Sequence, residues 1–208
     1  MADITSIAAI VLAAGRSTRM GVANKLTADI GGKAMVRRVV EAALASAASP
    51  VLVVTGHQAE DVRGALAGLE MAFVDNPDYA VGLASSLKAG IGAVPDAADG
   101  ALVLLGDMPQ ITGVHLDRLM AAFADDEGGA IIVPTHAGKR GNPVLWPRAY
   151  FAEMLQLEGD AGARRLLAAH ASRVREVDLG TDAIFADVDT PEALAEVRQK
   201  GSDPSPPR

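Results

Sequence analysis

Residues 7–25 read IAAIVLAAGRSTRMGVANK. The run over 7–14 is apolar and has the length of a buried β-strand, which breaks at Gly15. Ala13 and Ala14 have small side chains and Gly15 has none, so a ligand can approach closely and accept hydrogen bonds from main-chain N–H groups. The stretch therefore predicts a first strand followed by a loop that can hold an anion.

Three cations follow this strand within ten residues: Arg16, Arg19 and Lys25. Together they can face the several negative charges of a triphosphate, although a strand-to-helix connection with solvated basic residues has the same composition. The loop differs from a P-loop, because Gly15 and Gly21 have five residues between them and no Gly-Lys-Ser/Thr follows. It also lacks the G-x-G-x-x-G spacing of a dinucleotide site.

Composition limits the classes of protein that fit. The 208 residues are 50% hydrophobic but only 3% aromatic, which predicts one domain over 1–200 with an aliphatic core, followed by a disordered tail over 201–208. The net charge of −7 argues against a nucleic-acid partner. The absence of cysteine excludes disulfides and thiolate metal sites. The first apolar run is too short to cross a bilayer, so we expect no membrane association and a cytoplasmic protein.

Strand-like and helix-like segments alternate along the chain, and a segment over 135–146 interrupts them as a loop or hairpin. Strands are predicted over 7–14, 51–55, 71–74, 101–105, 130–133, 174–177 and 184–188, and helices over 34–47, 61–69, 83–94, 114–124, 149–157, 162–170 and 191–199. This alternation predicts an α/β fold, with helices on both faces of a mostly parallel sheet. Ligands of such folds bind at the carboxyl ends of the strands.

The first loop also carries a resemblance. LAAGRSTRMG followed by Lys25 resembles the L-A-A-G-x-S-x-R-M-G signature and lysine of the MobA-like nucleotidyltransferase family. Further segments resemble that family: GLASSL over 82–87, GDMP over 106–109, RGNP over 140–143, GDAGAR over 159–164 and DVDTPE over 187–192. They are most similar to the molybdenum cofactor (molybdopterin) cytidylyltransferase branch.

The resemblance implies a fold and a reaction. The fold is a three-layer αβα sandwich with a Rossmann-like twisted sheet, of the nucleotide-diphospho-sugar transferase type. The reaction is an Mg²⁺-dependent transfer of a nucleoside monophosphate from a nucleoside triphosphate, with CTP favoured. The acceptor is a phosphorylated molecule, with molybdenum cofactor favoured, pyrophosphate is released, and a molybdoenzyme becomes a candidate partner.

Acidic residues follow two predicted strands. Asp107 comes directly after the strand over 101–105, where a carboxylate can hold Mg²⁺, and the resemblance implies that it is the principal metal ligand. Asp187 and Asp189 alternate along the predicted strand over 184–188, so both side chains are expected on one face. Either acid could then reach the ion; the resemblance favours Asp189 as the second ligand, with Asp187 as the alternative, while capping of the following helix is a competing role for both.

The resemblance distributes the other site roles. Catalysis is assigned to Lys25, Arg19 and Asp107, and binding of the acceptor to Arg140, Asn142 and Arg164. Ser85 and Ser86 can read a base edge through hydrogen bonds, or can serve as helix caps. The residues expected to contact the nucleotide are Leu12, Ala13, Ala14, Gly15, Arg16, Lys25, Gly56, Asn76, Gly82, Ser85, Ser86 and Asp107.

Several alternatives remain open at this point. Guanylyl transfer to the same cofactor is the close alternative, and transfer to a sugar phosphate or alcohol phosphate is a third. Outside this class, the chain can be an oxidoreductase or a non-catalytic nucleotide-binding partner of a molybdoenzyme, but no dinucleotide or flavin motif supports the former. The residues do not determine the base, the acceptor or the oligomeric state.

Overall fold

A computed structural model describes residues 5–16, 24–159 and 163–202. The strands are β1 (Ile7–Ala13), β2 (Val51–Thr55), β3 (Ala72–Asp75), β4 (Gly100–Leu105), β5 (Ile131–His136), β6 (Lys139–Arg140), β7 (Val144–Pro147) and β8 (Val174–Asp178). They form one eight-stranded sheet in the order β3-β2-β1-β4-β7-β5-β6, and β8 pairs with β5.

The first four strands are parallel to one another, with β1 between β2 and β4 and with β3 outside β2. Their carboxyl ends therefore lie along one edge of the sheet, called the carboxyl edge below. On the other side of β4, β7 runs antiparallel to both β4 and β5, and β8 runs parallel to β5. The sheet is thus mostly parallel, with antiparallel pairing around β7 and β6.

Helices cover both faces of the sheet. They are α1 (Met35–Leu44), α2 (Ala59–Ala65), α3 (Leu83–Gly92), α4 (Gly113–Asp125), α5 (Phe151–Met154), α6 (Arg164–Ala169) and α7 (Pro191–Ser202). Residues of α1, α2 and α4 form one hydrophobic core on the sheet, and residues of α3, α5 and α6 form another. Alternate residues of β1 enter the two cores, Ala9 and Val11 on one side and Ala8 and Ile10 on the other. This burial on both faces explains the unbroken apolar run at the start of the chain.

The predicted fold class, a three-layer α/β sandwich with a mostly parallel sheet, is confirmed. The predicted strand over 51–55 coincides with β2. The segment over 135–146 contains a hairpin and the start of a further strand. β5 and β6 pair around Ala137 and Gly138, which have the positive φ angles of a tight hairpin turn. The chain then returns as β7 into the middle of the sheet, a strand that an alternating strand and helix pattern does not anticipate.

The predicted strand over 184–188 is wrong. Residues Asp182–Phe185 form a short 3-10 helix, and the backbone is irregular from there to α7. Ile184 and Val188 are both buried, but in different hydrophobic clusters. Two apolar residues of this segment therefore do not lie on the same face of a strand. The final helix extends to Ser202, two residues into the predicted tail, and the rest of that tail lies outside the described residues.

No helix in the described part of the chain combines the length and the apolar composition that crossing a bilayer requires.

Close packing of α3 on the sheet provides a test of the fold. A Cβ atom at Gly90 would lie 2.5 Å from Ile10 Cγ2 and 3.1 Å from Val54 Cγ2. We expect Gly90→Ala to lower the free energy of unfolding by about 1–3 kcal/mol, because overpacked cores shift side chains and backbone. Unfolding in urea measures this change.

Gly92→Ala is the matched control, because Gly92 ends the same helix and nothing lies within 4 Å of its Cβ position. We expect this variant to be as stable as the parent protein, or more stable by up to about 1 kcal/mol. Equal stability of the Gly90→Ala variant and the parent protein would contradict the packing described here.

Candidate active site

The ends of β1 and β4 approach each other closely at the carboxyl edge. The Gly106 N–H donates to the Leu12 carbonyl at 3.0 Å, and a Cβ atom at Gly106 would lie 2.9 Å from that oxygen. Ala13 and Ala14 are buried beside it, whereas Gly15 is exposed with open space at its Cβ position. The loop after β1 thus begins with the small residues and the accessible main chain that its sequence predicts.

Lys25 is held at this edge by its neighbours. It begins a 3-10 helix, Lys25–Thr27, whose Leu26 N–H donates to the Asn24 side chain at 3.0 Å. Leu26 is buried in the same core as α1 and α4. Burial of Leu26 and capping by Asn24 therefore anchor the lysine backbone, which lets its side chain extend along the edge.

Lys25 contacts two acidic residues from distant parts of the chain. Its Nζ lies 2.6 Å from Asp107 Oδ2 and 2.5 Å from Asp189 Oδ1. The side chains of Lys25 and Asp107 are only 13% and 17% exposed, and that of Asp189 is 36% exposed. The three residues form the ionic cluster of the candidate site, called the Lys25 cluster below.

The charges of the Lys25 cluster do not balance. Burial disfavours the charged ammonium of Lys25, but Asp107 and Asp189 outweigh this effect and raise its pKa above the usual value. Burial also raises the pKa of Asp107, against the opposing effect of Lys25, and the charges of Asp187 and Asp189 raise it further. One ammonium thus faces two carboxylates, those of Asp107 and Asp189, and this excess of negative charge favours binding of a further cation.

Asp189 reaches Lys25 from the irregular segment before α7. The Val188 N–H donates to the main-chain oxygen of Asp107 at 3.0 Å, which ties the two acidic segments together. Thr190 caps α7, since its Oγ1 accepts a hydrogen bond from the Ala193 N–H at 3.2 Å. The acid that precedes Thr190 is therefore available to Lys25, and Asp187, which is exposed, lies outside the ion pairs described for this cluster.

Other residues predicted to contact a nucleotide line the same edge near β2 and β3. The guanidinium of Arg16 lies 5.7 Å from the centre of the Tyr79 ring, and the centre of the His57 ring lies 5.8 Å from the same point. A Cβ atom at Gly56 would lie 2.6 Å from Tyr79 Cβ and 2.9 Å from Ala14 Cβ. The glycine therefore allows the loops after β1, β2 and β3 to meet.

Asn76 connects the loop after β3 to α3. It is buried, and its Nδ2 donates to Ser85 Oγ at 2.9 Å and to Ser86 Oγ at 3.0 Å. The Ser85 hydroxyl in turn donates to the Gly82 carbonyl at 2.8 Å. Both amide hydrogens of Asn76 are thus in use, and the side chain orients the two serines. Ser86 is buried, whereas Ser85 is half-buried and more accessible to a ligand.

The residues predicted to bind the acceptor surround one cavity beside β5 and β7. Its volume is about 320 Å³, and Arg140, Asn142 and Arg164 all line it. Arg140 donates to Glu176 at 2.7 Å, so its charge is partly balanced. An adjoining cavity of about 220 Å³ shares Asn142 and Arg164 and extends toward Leu12, with mostly apolar walls. The cavities therefore connect the predicted acceptor residues to the end of β1.

Two features of the carboxyl edge do not follow from the motifs. The first is the position of Tyr79 beside Arg16. Its only signal in the sequence is that aromatic residues are scarce, at 3% of the chain, so that each of them is conspicuous. The second is the hydrogen bond from Val188, which has no sequence signal because it uses main-chain atoms.

Arg19, predicted to be catalytic, lies outside the described residues, as does Asp160 of the GDAGAR segment.

Chemically, this arrangement combines accessible N–H donors, a paired lysine and two carboxylates at the end of a parallel sheet. Such a constellation can bind a phosphorylated ligand together with a cation.

Two relatives of known sequence match this chain over different shares of its length. The bifunctional protein GlmU of Lactobacillus delbrueckii subsp. bulgaricus is 37% identical over 127 residues, which are 61% of this chain and 27% of GlmU. This chain thus spans about a quarter of that relative. The molybdenum cofactor cytidylyltransferase of Escherichia coli K12 is 28% identical over 200 residues, covering 95% of this chain and 98% of that protein.

Solved structures agree in fold. The crystal structure of Rv0371c from Mycobacterium tuberculosis has a TM-score of 0.83 and 28% identity, and covers 94% of this chain and 98% of that chain. A structure of Rv0371c in complex with manganese has a TM-score of 0.77 and 25% identity over the same shares. The model of the MobA-like NTP transferase domain matches residues 9–174, which confirms the family predicted from the motifs. The chain therefore belongs to the MobA-like NTP transferase family.

Proposed function

We propose that this enzyme transfers a nucleoside monophosphate, favouring CMP from CTP, to a phosphorylated acceptor and releases pyrophosphate. The favoured acceptor is the molybdenum cofactor. The observation that carries the proposal is the Lys25 cluster, in which Lys25, Asp107 and Asp189 meet at the carboxyl edge beside the accessible Gly15. Parallel sheets bind their ligands at this edge.

The loop after β1 suits the phosphates of the nucleotide. Its exposed Gly15 leaves room for an anion to approach main-chain N–H groups, and Arg16 lies next to it. Lys25 adds a buried ammonium whose positive charge is stabilised by two carboxylates. Arg19 stays a predicted contributor to the same task. These groups would offset negative charge on the α-phosphate and on the departing pyrophosphate.

The Lys25 cluster also suits a divalent cation. Asp107 Oδ1 is buried and has no hydrogen-bond partner among the described residues. Asp107 and Asp189 supply two hard oxygen donors, and Mg²⁺ commonly takes one or two carboxylates with phosphate oxygens and water. We therefore assign Mg²⁺ to Asp107 and Asp189, with Asp187 as the alternative to Asp189. When bound, Mg²⁺ would neutralise charge on the triphosphate.

The reaction needs no protein base. A phosphate monoester has a second pKa of about 6, so the acceptor phosphate is already mostly deprotonated near neutral pH. One of its oxygens forms a bond to the α-phosphorus while the bond to the bridging oxygen breaks, and pyrophosphate leaves with that electron pair. The chain then has to align the two phosphates and stabilise charge, tasks that suit lysine, arginine and main-chain N–H groups.

The molybdenum cofactor is favoured by one relative in particular. The cytidylyltransferase of Escherichia coli matches along almost its whole length, including the segments that carry Arg140, Asn142 and Arg164. These residues line one cavity, where an arginine can bind a phosphate. A molybdoenzyme partner, a cytoplasmic location and a single domain over 1–200 stay predictions.

A second candidate function concerns the acceptor. Transfer to a sugar phosphate or an alcohol phosphate stays an alternative, because the arginines that line the cavity can bind the phosphate of such an acceptor equally well. Guanylyl transfer to the molybdenum cofactor stays the other alternative, since serine hydroxyls and main chain can serve more than one base.

The first prediction from this proposal concerns catalysis. Lys25→Ala and Asp107→Ala should each reduce turnover at least a hundredfold, because one lost electrostatic contact typically costs about 3 kcal/mol at the transition state. Lys33→Ala is the matched control, because Lys33 also pairs with a carboxylate, Glu41, but its side chain is half exposed and is not part of the Lys25 cluster. Steady-state release of pyrophosphate measures the effect. Normal turnover in either site variant would remove that residue from the mechanism.

The second prediction concerns the base. Thermal unfolding with Mg²⁺ and each of the four nucleoside triphosphates should show the largest increase in melting temperature with CTP. At a concentration of 100 times the dissociation constant, the expected stabilisation is about 2.7 kcal/mol, or about 5–10 °C for a chain of this size. A larger effect of GTP would favour guanylyl transfer, and no effect of any triphosphate would contradict the proposed function.

The third prediction concerns the acceptor. Arg164→Ala should raise the KM for the acceptor about tenfold or more and leave the KM for the triphosphate unchanged, because a charged hydrogen bond contributes about 1.5–3 kcal/mol. Arg165→Ala is the matched control, since Arg165 is the exposed neighbour and does not line the cavity. An unchanged acceptor KM after loss of Arg164 would exclude this cavity as the acceptor site.

A further inference from the structure

A small third hydrophobic cluster lies apart from the two cores on the sheet. It contains residues from the segment after Lys25, from α1, from the segment around Asp189 and from α7, and is called the α7 cluster below. Its buried members are Ile30, Met35, Val188, Leu194 and Val197. The cluster therefore packs together the two chain segments that carry Lys25 and Asp189.

Main-chain hydrogen bonds connect the α7 cluster to Lys25. The Ala28 N–H donates to the Lys25 carbonyl at 3.1 Å, and the Met35 N–H donates to the Ala28 carbonyl at 2.9 Å. Between them, Asp29 and Ala34 form an antiparallel bridge that places Ile30 in the cluster. This short turn holds the lysine backbone in a defined position relative to the cluster.

The other side of the α7 cluster is connected to the acids. Val188 is fully buried in it, and the Val188 N–H donates to the Asp107 main-chain oxygen at 3.0 Å. The next residue is Asp189, and α7 begins two residues after that. Arg198, further along α7, donates from Nε to the Asp29 carbonyl at 2.8 Å, so the helix is tied back to the turn after Lys25.

We propose that α7 is the positioning element of the metal site. In this proposal Val188, Val197 and Arg198 hold Asp189 in contact with Lys25, which also binds Asp107. Asp189 lies on no strand or helix, so contacts of its neighbours determine its place. The inference rests on the proposed function, because it takes Asp189 as a metal ligand. Residues that orient ligands without touching the metal commonly alter metal affinity about 10- to 100-fold when they are changed.

The experiment measures binding of Mn²⁺ alone to the full chain, from the loss of the electron paramagnetic resonance signal of free Mn²⁺. Val197→Ala shortens a side chain of the α7 cluster that is 9% exposed. Its matched control is Val94→Ala, which makes the same change in the core beneath α3 at a site that is 8% exposed. Arg198→Ala is a second variant whose exposed side chain does not contribute to a core. Asp189→Ala reports the loss of the ligand itself.

We expect Asp189→Ala and Val197→Ala to raise the dissociation constant for Mn²⁺ about tenfold or more, with a smaller increase for Arg198→Ala. Val94→Ala should bind Mn²⁺ within about twofold of the parent protein while losing a similar amount of thermal stability, which separates positioning from folding.

The outcomes distinguish this inference from the proposed function. Weaker Mn²⁺ binding in Asp189→Ala, with parent-like binding in both Val197→Ala and Arg198→Ala, would overturn the positioning role of α7 and leave the metal ligand in place. Equal weakening in Val197→Ala and Val94→Ala would overturn it as well. Parent-like binding in Asp189→Ala would overturn both the metal assignment and the inference.

Discussion

The ion pairs of Lys25 hold the candidate site together. The lysine is separated from Asp107 by 82 positions and from Asp189 by 164, yet one Nζ atom contacts both carboxylates. A buried ammonium is stable only where carboxylates compensate for lost hydration, and buried carboxylates need the ammonium in return. This mutual requirement joins the loop after β1, the end of β4 and the segment before α7 into one site.

The close approach of backbones is the second condition for this site. β1 is buried on both faces, so its neighbours pack on it without intervening polar groups. Gly106 lies against the main chain of β1, and Gly56 lies against Tyr79 and Ala14. A side chain at either glycine would separate the loops of the carboxyl edge. The small residues of the motifs therefore serve the packing of the edge as well as the accessibility of its N–H groups.

Much of the amino-terminal half of the chain was predictable because its signals are local. A few consecutive residues are enough to indicate the apolar run before Gly15, the strand β2 and the end of β4 before Asp107. The carboxyl half was less predictable. β7 enters the sheet antiparallel, and the segment over 184–188 is irregular although its composition is typical of a strand. Burial against two separate clusters, rather than one sheet face, explains its apolar residues.

The alternation of strands and helices, the family and the residue types available for chemistry could be inferred from the residues alone, because they depend on local patterns and motifs. The pairing of Asp189 with Lys25, the capping of α7 by Thr190 and the hydrogen bonds of Asn76 to Ser85 and Ser86 became evident only from the fold. Such choices depend on distances between atoms far apart in the chain. The preference for Asp189 over Asp187 is a matter of resemblance until packing brings Asp189 within hydrogen-bonding distance of Lys25.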